Sequence, residues 1–326
     1  MFRNKDYILA ILREGSFSKA SQKLYISQPS LSATVKRLES KLSSPIFNRT
    51  NPITLTDVGK TYVKYALEIE EKERNFEKYI SDNINILAGL IKIGGSSLVS
   101  SFVLPNMISK FNNDYPCIKF EIYEDNTKNL LHKLLQGELD IIIDDIEIND
   151  ENLQSTIAKS EVLLLAVPKS FEVNNTLKEF RLTAKNIKSK KHLSNKHFIS
   201  IENFSNEPFI LLNPENGTGR RATKIFKNHN LTPNVVFHLD QQVTAYNAAS
   251  SGMGVTFVSD TLVKHIDFNS PLYYYVLNDR EVLRDIYFYN ISKRYLSVAC
   301  RKFIEYNSMV KDKKLNYDGT TQNTFI

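Results

Sequence analysis

The 326-residue sequence predicts a multi-domain α/β protein: a winged helix-turn-helix head, one long helix, and a body in which strands alternate with helices. Three observations carry that reading. Residues 1–58 hold nine Lys/Arg against four Asp/Glu, a local charge of +5 in a chain whose total is +6. The same segment divides into three short amphipathic helices and a hairpin. From Leu90 onward, short apolar runs alternate with helical patterns, as a largely parallel sheet requires.

A basic head on a near-neutral body is the charge distribution of a nucleic-acid-binding module. With 42% apolar and 24% charged residues the chain is ordinary globular material. No apolar run approaches the ~18 residues of a membrane span. The opening MFRNKDYILAILREGSF places Arg13 and Glu14 straight after a short apolar run and lacks a small-residue cleavage site. It therefore reads as no signal peptide, which predicts a cytoplasmic protein with no membrane partner. Cys117 and Cys300 make no disulfide framework and are expected as small buried hydrophobes.

The first helix is expected over 4–13, with Tyr7, Ile8, Ile11 and Leu12 inward, and Gly15 ends it. Ser16 caps a second helix that turns Phe17, Ala20 and Leu24 inward. A tight turn at Tyr25-Ile26 leads to Ser27, the cap of a third. There Leu31, Val35, Leu38 and Leu42 recur at intervals of 4, 3 and 4, fixing a core-facing stripe. At ~100° per residue, Pro29, Ser32, Ala33, Lys36, Arg37 and Ser40 point away from it. Pro29 falls in the first turn, where its missing N–H breaks no intrahelical bond.

Taken alone, such a helix is as readily a solvated surface. Preceded by a short helix and a turn, it has the outline of a helix-turn-helix. Its short outward side chains let a duplex approach closely, so Gln28 and Ser32 can meet base edges while Lys36 and Arg37 reach phosphates. PIFNRTNPITLTDVG then reads as a wing hairpin turning at Asn51-Pro52, with Arg49 at its base. The candidate DNA-binding residues are Ser27, Gln28, Pro29, Ser32, Ala33, Lys36, Arg37 and Arg49.

Residues 57–83 form the longest predicted helix. Val58, Tyr62, Tyr65, Ile69, Phe76 and Tyr79 make a narrow apolar seam, broken by Lys72 and flanked by charge, the pattern of a helix that pairs with another helix. In the body, LIKIGGSS reads as a strand and glycine-serine turn, VLPNMISKFNNDYP as a helix, and CIKFEIYEDN and LDIIID as further strands. EVLLLAVP crosses into a second unit containing EPFILLN, GRRATKIFKNHN, NVVFHLD and AYNAASSGMGVTFVS. LRDIYFYNI and YLSVACRKFIEYN return to the first.

The run from Gly15 to Gly59 resembles the N-terminal domain of the LysR-type transcriptional regulators. The matching residues are Gly15-Ser16-Phe17, Ala20, Leu24, Ser27-Gln28-Pro29, Ser32, Leu38-Glu39, Leu42, Phe47, Arg49, Leu55-Thr56 and Gly59. The wing departs from the pattern, being about one residue short and lacking the second arginine often found there. The order of the body resembles the same family's effector-binding domain, two Rossmann-like lobes joined by two crossovers as in periplasmic binding proteins. Leu104-Pro105, Tyr115-Pro116, Gly137-Glu138-Leu139-Asp140, Pro208-Phe209 and Ser251-Gly252-Met253-Gly254-Val255 support it. Against the family, KSFEVNNTLKEFRLTAKNIKSKKHLSNK looks inserted. With its basic run of Lys188, Lys190, Lys191 and Lys196, it is expected as a solvated surface excursion.

The expected boundaries are a DNA-binding domain at 1–58, a linker or dimerisation helix at 59–88, an effector domain at 89–306 and a disordered polar tail at 307–326. Lobe I is expected at about 89–165 and 266–306, and lobe II at about 166–265. The resemblance implies a homodimer or homotetramer that reads a T/A-rich inverted repeat in double-stranded DNA and responds to a small-molecule effector.

A two-lobed body binds its ligand between the lobes, at the carboxyl ends of the strands. Ser96 and Ser97 sit at such a strand-to-helix turn, where hydroxyls and free N–H groups favour an anion. By the resemblance Thr127, Asn213 and Gln242 are further effector contacts. Arg220 or Arg221 is within the sequence reach of a ligand carboxylate, but surface arginines are common and that is the plainer reading. Enzyme chemistry finds no foothold. Gly217-Thr218-Gly219 and Gly252-Met253-Gly254 lack the third glycine of a dinucleotide fingerprint, no GxSxG or HExxH occurs, and the six histidines show no ligand spacing. No cofactor or metal is expected. A solute-binding protein would fit the body alone, but not the basic head.

Overall fold

The computed structural model describes residues 1–48, 50, 52–83, 89–193, 198–265 and 269–308. It divides into two compact units, Met1–Ile84 and Asn85–Ile326. Arg49, Asn51, Lys196 and the tail from residue 309 lie outside the described residues.

The head contains α1 (Lys5–Glu14), α2 (Phe17–Lys23), α3 (Gln28–Leu42), β1 (Phe47–Asn48), β2 (Thr54–Leu55) and α4 (Asp57–Asn83). Gly15 ends α1 in the left-handed conformation at φ +61°, which glycine adopts at little cost. Ser16 accepts the Lys19 N–H and Ser27 the Ser30 N–H, so both expected caps form. The two wing strands pair antiparallel. Glu39 holds the wing to α3, accepting the Ile46 N–H at 2.8 Å.

Leu31, Val35 and Leu38 are buried as the spacing requires. The inward face of α1 differs from expectation. Leu9 is buried and Leu12 is 39% exposed, because α2, α3 and α4 all contact α1 and together cover Ile8 through Ile11. The α4 seam also splits. Tyr62 is only 4% exposed and stacks on Phe2 at 4.8 Å between ring centroids, so it belongs to the head's own core with Val63 and Ala66. Tyr65, Phe76, Tyr79 and Ile80 stay exposed further along.

In the second unit the first lobe holds β3 (Gly89–Gly95), α5 (Leu104–Asp114), β4 (Ile118–Glu124), α6 (Thr127–Leu135) and β5 (Ile141–Asp144). The long β6 (Leu153–Pro168) leads out of it. Beyond lie α7 (Val173–Thr176), α8 (Ala184–Lys188), β7 (Phe198–Ile199), β8 (Pro208–Leu212), α9 (Gly217–Asn228), β9 (Asn234–Leu239), α10 (Gln242–Ser250), β10 (Val255–Ser259), α11 (Asp260–Lys264) and β11 (Leu272–Leu277). The chain closes with β12 (Leu283–Ile291) and α12 (Val298–Asn307).

Among the described residues the strands join one ten-stranded sheet in the order β4-β3-β5-β12-β6-β10-β8-β9, with β11 on β6 and β7 on β11. Pairing of β3 with β4 and β5, and of β8 with β9 and β10, is parallel. Sequences such as IIID and VLLLAVP are apolar at nearly every position because both sheet faces are covered. Three results correct expectation. β11 pairs with Leu165–Pro168 and lies in the second lobe, so the return to lobe I comes at β12 and not near residue 266. The inserted segment is more than surface: Leu182, Ala184 and Ile187 join the second lobe's core and His192 is 1% exposed. Cys300 is buried in the first lobe as expected, but Cys117 is exposed at the approach to β4.

Candidate functional site

The carboxyl ends of β3, β4, β8 and β9 open on a cavity of about 690 Å³ between the lobes, a size that suits a small molecule. Ser96, Ser97, Thr127, Asn213 and Gln242 all line it. The topology thus brings the five expected effector residues together, but several of their polar groups are already engaged. Thr127 Oγ1 donates to Asp144 Oδ2 at 2.7 Å. Asn213 Nδ2 donates to Asp240 Oδ1 at 2.6 Å. Gln242 is buried, donating from Nε2 to Thr218 Oγ1 at 2.9 Å and accepting the Ser259 N–H at 2.9 Å, so its amide is occupied by the protein.

The floor of the cavity is a charged cluster with Arg284 at its centre. Its side chain is 1% exposed and forms ion pairs with Glu161 on β6 and with Asp145 just after β5. Nε reaches Glu161 Oε1 at 2.5 Å, and Nη1 reaches Thr218 Oγ1 on α9 at 2.9 Å. Burial alone opposes the guanidinium charge, but the fields of Asp145 and Glu161 outweigh it and raise the pKa of Arg284. One side chain therefore ties a crossover strand to groups from both lobes. Glu161 also accepts from Thr261 Oγ1 at 2.5 Å, and Thr261 accepts from Lys159 Nζ at 2.6 Å. Beside this lies Asp144, whose carboxyl is pushed up to about 7, first by burial and then by the charge of Asp145.

Gly217 and Gly219 mark close approaches at the start of α9. A Cβ on Gly217 would lie 2.5 Å from Asp145 Oδ1, and one on Gly219 would overlap the carbonyl oxygens of Leu212 and Asn213. Gly219→Ala should therefore destabilise the body by roughly 2–3 kcal/mol, seen as a lower thermal midpoint, because backbone atoms cannot move aside as a side chain can.

Two features of the cavity bear on what it can hold. Arg221 turns away, donating to the carbonyls of Glu281 and Leu283 at 3.1 and 3.0 Å, and Arg220 is exposed outside the lining. Nor does the charge of the lining match an anionic ligand. It includes six carboxylates, Glu124, Asp125, Asp145, Glu161, Glu215 and Asp240, against two cations, Lys128 and Arg284.

In the head, Ser27, Gln28, Pro29, Ala33, Lys36 and Arg37 are exposed and Ser32 is half-buried, so α3 presents one continuous face of short and basic side chains. Arg49 lies outside the described residues. Residues 2–60 match the family model for bacterial regulatory helix-turn-helix proteins of the lysR family, and residues 85–308 match that for the LysR substrate binding domain. The chain belongs to the LysR family. It is 26% identical over 301 residues to the uncharacterized HTH-type transcriptional regulator YcgK of Bacillus subtilis (strain 168), covering 92% of this chain and 91% of the relative. Its fold is that of a full-length OxyR variant from Pseudomonas aeruginosa, at TM-score 0.67 and 19% identity, with 94% of this chain and 97% of the other covered. It is likewise that of CbnR in a complex with its target DNA, at TM-score 0.64 and 15% identity, with 94% and 98% covered. As a LysR-family protein it is a transcriptional regulator and not an enzyme. Among the described residues no helix is long and apolar enough to cross a membrane.

For this LysR-family body, reading the sequence missed Arg284, Asp145, Glu161 and Thr218. A signal for Arg284 was present. Period-2 alternation in LRDIYFYNI puts Arg284 on the same face as Ile286 and Phe288, both of which are buried. A charge on an inward strand position asks for a buried partner.

Proposed function

We propose that this LysR-family protein is a sequence-specific DNA-binding regulator whose activity is switched by a small molecule held between the two lobes. The observation that carries the DNA-binding half is the exposed face of α3. Small side chains at its N-terminal end allow close approach to a groove, with Lys36 and Arg37 one turn further along. On this reading Gln28 and Ser32 read base edges, while Lys36, Arg37 and Arg49 contact phosphates. Ser27, capping the helix, fixes its entry angle, and Pro29 and Ala33 keep the contact surface low.

The exposed Tyr65, Phe76, Tyr79 and Ile80 on α4 suit it to pair with α4 of a second copy, giving a homodimer or homotetramer whose heads reach two half-sites of an inverted repeat. The five residues expected as effector contacts share one cavity, which supports the cleft as the effector site. A ligand there changes DNA binding only through different affinities for two arrangements of the body.

The test is DNA binding by fluorescence anisotropy across a salt series. Lys36→Ala should weaken binding to all sequences about equally and reduce the slope of log K against log salt by about one. Gln28→Ala should instead narrow the gap between target and non-target DNA by about 1–3 kcal/mol. If Gln28→Ala leaves both affinity and preference untouched, α3 does not dock as proposed.

A further inference from the structure

We infer that the cleft takes a ligand carrying an ammonium or guanidinium group, in the chemical class of basic amino acids and polyamines. This rests on the reading of the cleft as the effector site and names what that site recognises. Of the two cations lining it, Arg284 is 1% exposed and consumed by Asp145 and Glu161, so a ligand anion finds no buried positive charge to meet. Lys128 is exposed.

Helix N-termini would ordinarily favour an anion, each acting as about half a positive charge. Two of those at this cavity are already capped by asparagine side chains, Asn126 Oδ1 accepting the Asn129 N–H at 3.0 Å and Asn216 Oδ1 the Thr218 N–H at 2.9 Å, and each has a carboxylate beside it. Asp125 Oδ1 accepts the Asn126 N–H at 2.9 Å where α6 begins, and Asp145 lies against Gly217 where α9 begins. What is left for the ligand is a lining with a carboxylate on the first lobe and two on the second. Glu124 lines it from the first lobe and Glu215 and Asp240 from the second, whereas Asp125 is already paired with Lys133 at 2.9 Å.

Acids on opposing walls repel each other when the cleft is empty and share a cation when it is filled. An amine ligand therefore favours the closed arrangement more than the open one, which is the differential affinity that a switch requires. Among the described residues no carboxylate accepts from the N–H groups of Ser96, Ser97 or Leu98, which line the same cavity and can take the acid end of an amino acid.

The experiment is a thermal-shift titration of the full chain with three five-carbon probes, 1,5-diaminopentane, glutarate and 1,5-pentanediol, together with L-lysine and its methyl ester. At 5 mM at least one of the amines should raise the melting temperature by 2 °C or more, and glutarate and the diol should not. A response to the diamine and the ester indicates a polyamine-like ligand. A response to L-lysine alone indicates an amino acid whose carboxylate is also bound. The shift should fall at least by half in Glu124→Gln/Glu215→Gln, two exposed positions whose replacement leaves the core intact. A shift with glutarate alone overturns the amine assignment while leaving the effector cleft standing. Absence of any amine response, or an amine response undiminished in the double variant, overturns it as well.

Discussion

Arg284→Met should destabilise the body by about 3–5 kcal/mol, because it strands two carboxylates around a methyl thioether. Glu161 has no solvent to turn to, its side chain being 0% exposed, and Asp145 is 17% exposed. Urea denaturation should show a correspondingly lower midpoint for the body's transition. Adding Glu161→Gln to Arg284→Met should recover a substantial part of that loss, since the cost lies in the uncompensated charge more than in the missing contacts. A single variant that loses under about 1 kcal/mol would show that the cluster does not hold the two lobes.

The second large effect concerns pH. The Asp144 carboxyl has a folded-state pKa near 7, above an ordinary value of 3.8, with burial as the first cause and the charge of Asp145 as the second. The folded state therefore binds this proton more tightly than the unfolded state. The stability it contributes is fully present below about pH 4 and is lost as pH rises through 7, by on the order of 4 kcal/mol. Melting temperature measured from pH 5 to 8 should fall across that range in the parent protein. Asp144→Asn should flatten the fall, since an amide is neutral throughout. Parallel curves for the two proteins would rule Asp144 out as the titrating group. Asp144 also accepts the Thr127 hydroxyl, so the same titration acts on the wall of the cleft.

Much of the head was legible because its determinants are local. Gly15 closes a helix, Ser16 and Ser27 open the next two, and the spacing of Leu31, Val35 and Leu38 sets which side of α3 faces inward. Nothing in that neighbourhood depends on a distant residue to be recognised. Leu12 was misread because burial on α1 is decided by three helices at once, and a single-stripe pattern assumes one neighbour.

The body's strands were legible as apolar runs, but their partners were not. Whether β11 joins one lobe or the other depends on its pairing with Pro168 through Leu165, more than a hundred residues earlier in the chain. The same holds for the site. Ser96, Ser97, Thr127, Asn213 and Gln242 sit at strand ends, which sequence order reveals. Arg284 acquires its meaning from Asp145, Glu161 and Thr218, three residues that only the assembled sheet brings near it. His192 is a parallel case. It lies in a lysine-rich stretch that reads as surface, yet its Nε2 sits 3.2 Å from the buried Asp260.

β6 belongs to both lobes at once. Nine of its first ten residues pair with β12, Ala158 being skipped, while Leu163 to Pro168 pair with β10 and β11. The connection is accordingly a loaded beam and not a loose joint. Bringing the walls of the cleft together must twist a hydrogen-bonded ribbon, and the restoring torque grows with the angle. The ladder between β12 and β6 slips register at Ile286/Tyr287, the place where added twist meets least resistance. A bound molecule that favours the closed arrangement would then have to offset the cost of that twist.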